Sequence, residues 1–317
     1  MQTRSTGSSI SKIVLAGALV FTLGCDNRVS IDRYAPNSQS VSKLRSLLEE
    51  SGDEDLDGDL DGDLSEESGD GGARTENDSP ATNPTGYATL RGQVIIRGVP
   101  PANPELTVSR DTDMCGTSAQ DLQLVVGANG GIQNVLIYAE DIPEAWCNPS
   151  ALEVSEDFIF DQKNCVFLTR VAAFQTSQKM KILNSDPKGH NTDFSPRFGA
   201  SYNQLIAAGG YGYYQTEAEE KQPVSVKCAI HPWMQAWLFP RSNGYFAVTD
   251  AEGNFEVPNL PAGVKITLRA WHEIPKYIQN VTVSGEKQKW SKGRFNRTLE
   301  ADGVLDLSVT IDAGEFD

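Results

Sequence analysis

The 317-residue chain has a formal net charge of −16, and twelve of its Asp and Glu crowd into residues 49–70, where no Lys or Arg stands. Setting those −12 aside leaves −4 for the rest. A mildly acidic body with no basic stripe excludes nucleic acid as a partner, and the last 230 or so residues suffice for one large or two small domains.

Residues 1–25 read as an export signal. Arg4 and Lys12 precede an apolar run from Ile13 to Gly24 that is too short to span a bilayer and stops at Cys25. Thr22-Leu-Gly-Cys25 resembles the lipidation site of bacterial lipoproteins, although it lacks the usual Leu three places before the Cys. That resemblance implies a lipid on Cys25 and a membrane-anchored protein in the periplasm or elsewhere in the cell envelope. An ordinary secretory signal is the alternative, and it too places the chain outside the cytoplasm. Residues 26–85 read as a disordered acidic tether, since they offer too little apolar surface to offset ordering entropy. Asp57, Asp59, Asp61 and Asp63 alternate as in a calcium loop, but position 12 of such a loop would be Ser68 rather than the bidentate Glu.

From Gly86 the texture changes to short apolar runs punctuated by Gly, Pro, Asn and Asp. Gln93-Val-Ile-Ile, Asn134-Val-Leu-Ile-Tyr, Lys179-Met-Lys-Ile-Leu and Pro223-Val-Ser-Val-Lys-Cys are examples, with no helical periodicity between them. Many short strands at this spacing predict an all-β sandwich or barrel. Period two places Val224, Val226 and Cys228 on one face, so Cys228 points inward.

Cys228-x-x-His231-x-x-Met234 sets three metal donors on one loop, and His190 lies 38 residues upstream of Cys228. One thiolate, two imidazoles and a thioether form the donor set of a blue-copper electron-transfer centre. Zinc is disfavoured by Met234 in the fourth place. Only three His occur in the chain, too few for a trinuclear copper cluster. His-Glu-x-x-His, Gly-x-Ser-x-Gly and phosphate-cradling loops are absent as well, so no enzyme is expected. His272 reads as a packed residue rather than a ligand. The edge of His231 is expected to be exposed, rimmed by Trp233 and Trp237 as a docking face; packing of both Trp between the modules is the alternative.

Asn184-Ser-Asp-x-x-x-His190-Asn191 followed by Cys228-x-x-His231-Pro-x-Met234 resembles the copper-site pattern of cupredoxins, with the short loop most like amicyanin. The resemblance spans roughly residues 120–240. It implies one type 1 copper ion held by His190, Cys228, His231 and Met234, with Asn191 tying the two ligand loops together from behind. Tyr245 to Gly263, which contains Thr-Asp-Ala-Glu-Gly-Asn-Phe-Glu-Val-Pro-Asn-Leu-Pro-Ala-Gly, resembles a transthyretin-like, carboxypeptidase-regulatory-like sandwich. That pattern is structural, with Asp250–Gly253 as a hairpin turn and Leu260–Gly263 as a corner. The expected fold is therefore all-β, a cupredoxin-like Greek-key sandwich at 86–242 with extra N-terminal strands, followed by the second sandwich at 243–317. Gly92-Gln-Val-x-x-x-Gly98 also resembles the first strand of the second module, which leaves open a copper module inserted into that sandwich. The combination resembles exported, methylamine-utilisation-like bacterial cupredoxins and implies a redox protein partner in the envelope.

Cys115, Cys147 and Cys165 remain. Cys115 and Cys165 each sit at the edge of a predicted strand, which favours a bridge between them and leaves Cys147 unpaired, though sequence does not fix connectivity. Two other roles stay open. One is carrying or buffering copper; the other is an envelope binding or structural module with a vestigial site.

Overall fold

Strands account for nearly half of the chain that the computed structural model describes, residues 83–317 except Glu153 and Ser155. All lie within the unit Glu76–Asp317. The export signal, Cys25 and nearly all of the tether fall outside the described residues. Among the described residues, helix is limited to one α-helical turn at Thr112–Cys115 and short 3₁₀ turns.

Two β-sandwiches make up this part. In the host sandwich, one sheet runs Asn254–Ala262, Gly86–Arg97, Val304–Asp312, Asn280–Val283, Glu286–Lys289. The sheet facing it is built on Phe246–Val248, Leu136–Ala139 and Lys265–His272. Leu90, Val94, Ile137, Leu268, Val309 and Ile311 interleave between them as a buried core. Gly92 is required here: a Cβ at this position would lie 2.0 Å from the carbonyl oxygen of Leu307 on the neighbouring strand.

The expected boundary between residues 242 and 243 is corrected by this pairing. Gly86–Arg97 pairs antiparallel with Asn254–Ala262 and parallel with Val304–Asp312 rather than within the copper module, as the insertion left open by the likeness of Gly92-Gln-Val requires. Leu136–Ala139 likewise pairs with Phe246–Val248 and Lys265–His272. The ends of the chain thus build one sandwich, and the segment between them is inserted into it. Alternation of apolar residues marks a half-buried strand but does not name its partner, and a parallel pair separated by more than 200 residues leaves no local trace. The turn at Asp250–Gly253 forms, with Gly253 N–H donating to the Asp250 carbonyl at 3.0 Å and Gly253 at φ +78°. The strands on either side of it nevertheless enter opposite sheets, so it is a crossover rather than a ladder hairpin.

The inserted sandwich has one sheet in the order Tyr202–Ile206, His190–Phe194, Val224–Lys227, Gln235–Arg241, Val171–Gln175. Its facing sheet runs Tyr211–Tyr214, Met180–Asn184, Phe158–Lys163, Val166–Phe167. Phe160, Phe174, Met180, Ile182, Val226 and Leu238 fill the space between. Two strands are apolar on both faces because both faces are covered. Ile137 and Ala139 enter the host core while Leu136 and Tyr138 turn outward. Ala236 and Leu238 enter the inserted core, and Phe239 meets Leu136 and Tyr138 with Val171 and Trp271. This third cluster joins the sandwiches, and Arg170 reinforces it with ion pairs to Asp121 at 2.9 Å and Glu273 at 2.7 Å.

Candidate metal centre

Strand ends deliver the donors. His190 opens the strand His190–Phe194, and Cys228 follows the strand Val224–Lys227, which pairs with it. The chain then reverses through His231-Pro-Trp-Met234. Met234 N–H donates to the His231 carbonyl at 2.9 Å, and Cys228 N–H donates to the Met234 carbonyl at 3.3 Å. All four residues are buried, His190 and His231 at 0% exposure and Cys228 and Met234 at 1%.

Donor atoms of His190, Cys228 and His231 lie within 4.8 Å of one another. His190 Nδ1 is 2.9 Å from His231 Nδ1, and His231 Nδ1 is 3.7 Å from Cys228 Sγ. Bond lengths of about 2.0 Å to nitrogen and about 2.3 Å to sulfur give a trigonal N–S edge of about 3.7 Å, as observed, and an N–N edge of about 3.5 Å. The shorter N–N separation is a hydrogen-bond distance, and the tautomers decide what it means.

Each imidazole is held from behind by a carboxylate. His190 Nε2 is 2.7 Å from Asp186 Oδ2, and His231 Nε2 is 2.9 Å from Asp111 Oδ2. Burial opposes charge on Asp186, but N–H groups of Cys165, His190 and Asn164 outweigh it and lower its pKa. Asp111 is lowered by its hydrogen bonds from His231 and Lys188. Both therefore only accept, so each Nε2 must carry its proton. Two neutral imidazoles then turn bare Nδ1 lone pairs toward each other. One way to relieve this is a third proton, which makes a buried imidazolium; burial, only partly opposed by Asp186, lowers the His190 pKa and disfavours that charge. The other is a metal cation, which the two lone pairs and the adjacent sulfur suit.

The supporting loops are stitched by side chains. Asn184 donates to the carbonyls of Lys188, Ile206 and Ala207 and accepts from Asp186 N–H. Asn191 accepts from Ala229 N–H at 3.0 Å through Oδ1 and donates to Asn203 at 2.7 Å, while its own N–H donates to Cys228 Sγ at 3.3 Å. The structure contains a Cys115–Cys165 disulfide, and Cys147 is a free buried thiol.

The expected docking face is corrected. His231 has no exposed edge, because Asp111 caps its Nε2. Trp233 is 7% exposed and donates to the Cys165 carbonyl at 3.1 Å. Trp237 lies at the sandwich junction, its ring 5.2 Å from that of Trp271. His272 is buried against Phe316, and its Nε2 has no hydrogen-bond partner. A cleft of about 510 Å³ reaches the metal turn from one side, lined by Leu122, Val166, Leu168, Trp233 and Met234 among others.

Sequence reasoning passed over Asp111 and Asp186. Asp186 stands inside the quoted Asn-Ser-Asp motif, four residues before His190, and that spacing was a usable signal. Asp111 acts across 120 residues, and nothing local marks it.

No protein family matches the chain, and no curated protein does. Among solved structures, the Cu-containing nitrite reductase (NirK) from Thermus scotoductus SA-01 is similar over 27% of this chain, at 12% identity and a TM-score of 0.25. This chain spans about a fifth of that reductase's length, since 22% of it is covered. A reduced Cu(I) form of an amicyanin variant is similar over the same share of this chain and 82% of its own, at 18% identity and a TM-score of 0.24. A second reduced amicyanin variant aligns at 17% identity with the same coverage and TM-score.

Proposed function

We propose that the chain is a mononuclear copper protein that carries single electrons in the cell envelope, exported and anchored through Cys25, and exchanging electrons with a redox protein. The observation that carries this reading is the pair of acidic anchors, Asp186 on His190 and Asp111 on His231, which turn two bare imidazole nitrogens toward one point beside Cys228 Sγ. Thiolate and thioether donors beside imidazoles select copper over magnesium or calcium. Copper bound there supplies a one-electron couple.

The chain's own residues prepare that site. Asn191 N–H donates to the Cys228 sulfur and draws charge from it, which tunes the potential. Asp111 and Asp186 fix the ring orientations, so the donors need not rearrange when charge arrives or leaves. Burial of all four candidate donors excludes water from the centre.

A copper-carrying role is the second reading. The covered His231 edge favours it, because it removes the exposed imidazole through which an electron carrier would meet its partner. Purified full chain loaded with copper separates the two. An electron carrier shows an intense thiolate-to-copper band that bleaches with ascorbate, returns on oxidation and survives a competing chelator. A copper carrier yields its metal to the chelator within minutes.

A further inference from the structure

After its first strand the chain leaves the host sandwich and lies across the inserted one. Glu105–Thr107 pairs with Ser118–Gln120, and the single turn Thr112–Cys115 forms the tip of this ribbon. Leu106, Met114, Cys115 and Ala119 pack on the inserted core. Three fastenings hold the ribbon down: the Cys115–Cys165 bridge, the Asp111–His231 contact at 2.9 Å, and Lys188, which reaches Asp111 at 3.3 Å and Asp113 at 3.5 Å.

The bridge sits where both carboxylate anchors depend on it. Cys115 ends the turn that Asp111 begins. Cys165 N–H donates at 2.9 Å to the Asp186 oxygen that holds His190. Cys165 Sγ also lies within 4.8 Å of donor atoms of Asp186 and His190, all three residues being buried. While the bridge is closed this sulfur cannot bind a metal. Once freed, its thiolate can ligate together with His190 Nε2, whose proton passes to Asp186 as the metal arrives, and this thiolate–imidazole pair shares His190 with the centre above.

We propose, resting on the copper reading, that Cys115–Cys165 is a redox latch whose reduction opens the cover and turns Cys165 and His190 into a loading site for Cu(I), which moves from there to Cys228 and His231. The reductant is a protein dithiol. Its thiolate attacks Cys115 Sγ, the partly exposed half of the bridge, and Cys165 leaves as a thiolate. The donor's second thiol then breaks the mixed disulfide, so two electrons pass from the dithiol to the bridge and the donor ends oxidised. A soft thiolate suits Cu(I), and copper keeps its oxidation state throughout loading. A protein disulfide takes the two electrons of the Cys115 and Cys165 thiols by the reverse exchange, its own bridge being reduced to a dithiol, and closes the cover over the loaded centre.

Two measurements on the full chain test this. The first follows how fast metal-free protein takes Cu(I) from a coloured Cu(I)–chelator complex under anaerobic conditions. Cys115→Ser, which unlatches the cover and keeps Cys165, should load about tenfold or more faster than oxidised wild type and than Cys165→Ser. The second needs no copper: diethylpyrocarbonate should modify His231 about tenfold faster in Cys115→Ser and in Asp111→Ala than in oxidised wild type. Equal loading by all three forms, followed by a normal thiolate band on oxidation, overturns the latch and leaves the copper reading standing. Loading by none sinks the copper reading and the loading site with it. Equal protection of His231 in wild type and both unlatched variants overturns the cover whether or not copper binds.

Discussion

Asn191 is the residue whose replacement tests the construction of the centre with no metal present. Asn191→Ala removes two hydrogen bonds, from Ala229 N–H at 3.0 Å and to Asn203 Oδ1 at 2.7 Å, and keeps the backbone N–H on Cys228 Sγ. Ala229 and Asn203 are both exposed residues, so water can replace part of what is lost. The cost is therefore the net value of two bonds, about 2 kcal/mol in all, rather than the larger penalty of orphaned buried groups. Asn191→Asp keeps the acceptor for Ala229 and loses only the donor to Asn203, which predicts about half that cost. Urea unfolding of the metal-free protein at pH 7 reads this as a lower midpoint at unchanged slope. In the copper-loaded protein the same alanine should weaken metal binding by about 10- to 100-fold while leaving the thiolate band in place. A stability change under about 0.5 kcal/mol for Asn191→Ala would refute the claim that this side chain ties the loops together.

Met234→Leu should leave copper bound and raise its reduction potential, since the thioether that helps stabilise the oxidised ion is gone; an unchanged potential by voltammetry removes Met234 from the site. Phe239→Ala should cost about 3–5 kcal/mol of unfolding free energy, because this ring is fully buried at the sandwich junction 4.6 Å from Tyr138; a loss below about 1 kcal/mol would mean the junction contributes little. Burial pushes the His272 pKa down to about 3, helped by the charges of Arg170 and Lys276. The unfolded chain binds that proton below about 6.5, so stability should fall as pH drops from about 6.5 toward 3, by up to roughly 5 kcal/mol. His272→Gln should flatten the stability profile over that window, and an identical profile in the variant would contradict the burial argument.

The turn carrying Cys228, His231 and Met234 was readable because three donors at short spacing are brought together by any tight reversal. His190 was readable from the Asn-Ser-Asp stretch before it. What gives these residues their orientation was not readable. Asp111 reaches His231 only because the 105–120 ribbon crosses from the other sandwich, and period-two patterning says nothing of where a ribbon lies. The same limit left the place of Gly86–Arg97 open, with the copper module preferred although the likeness of Gly92-Gln-Val to the second module's first strand pointed to the insertion. The strand pattern of that segment is right, but its parallel partner Val304–Asp312 is set by the tertiary fold, and the close approach at Gly92 becomes meaningful only once Leu307 is seen beside it. The docking face failed for a related reason. A Pro-Trp-Met loop is apolar whether it meets a partner or its own neighbours, and here the neighbours cover it.

The central claim is that His190, Cys228 and His231 converge on copper through a thiolate. Adding one equivalent of Cu(II) to the purified, disulfide-intact full chain and recording the visible spectrum tests it most directly. The account predicts an intense sulfur-to-copper band that ascorbate bleaches and that Cys228→Ser lacks while keeping the β-type circular dichroism. A colourless wild type after prolonged incubation with copper, or a Cys228→Ser variant that stays blue, would contradict it.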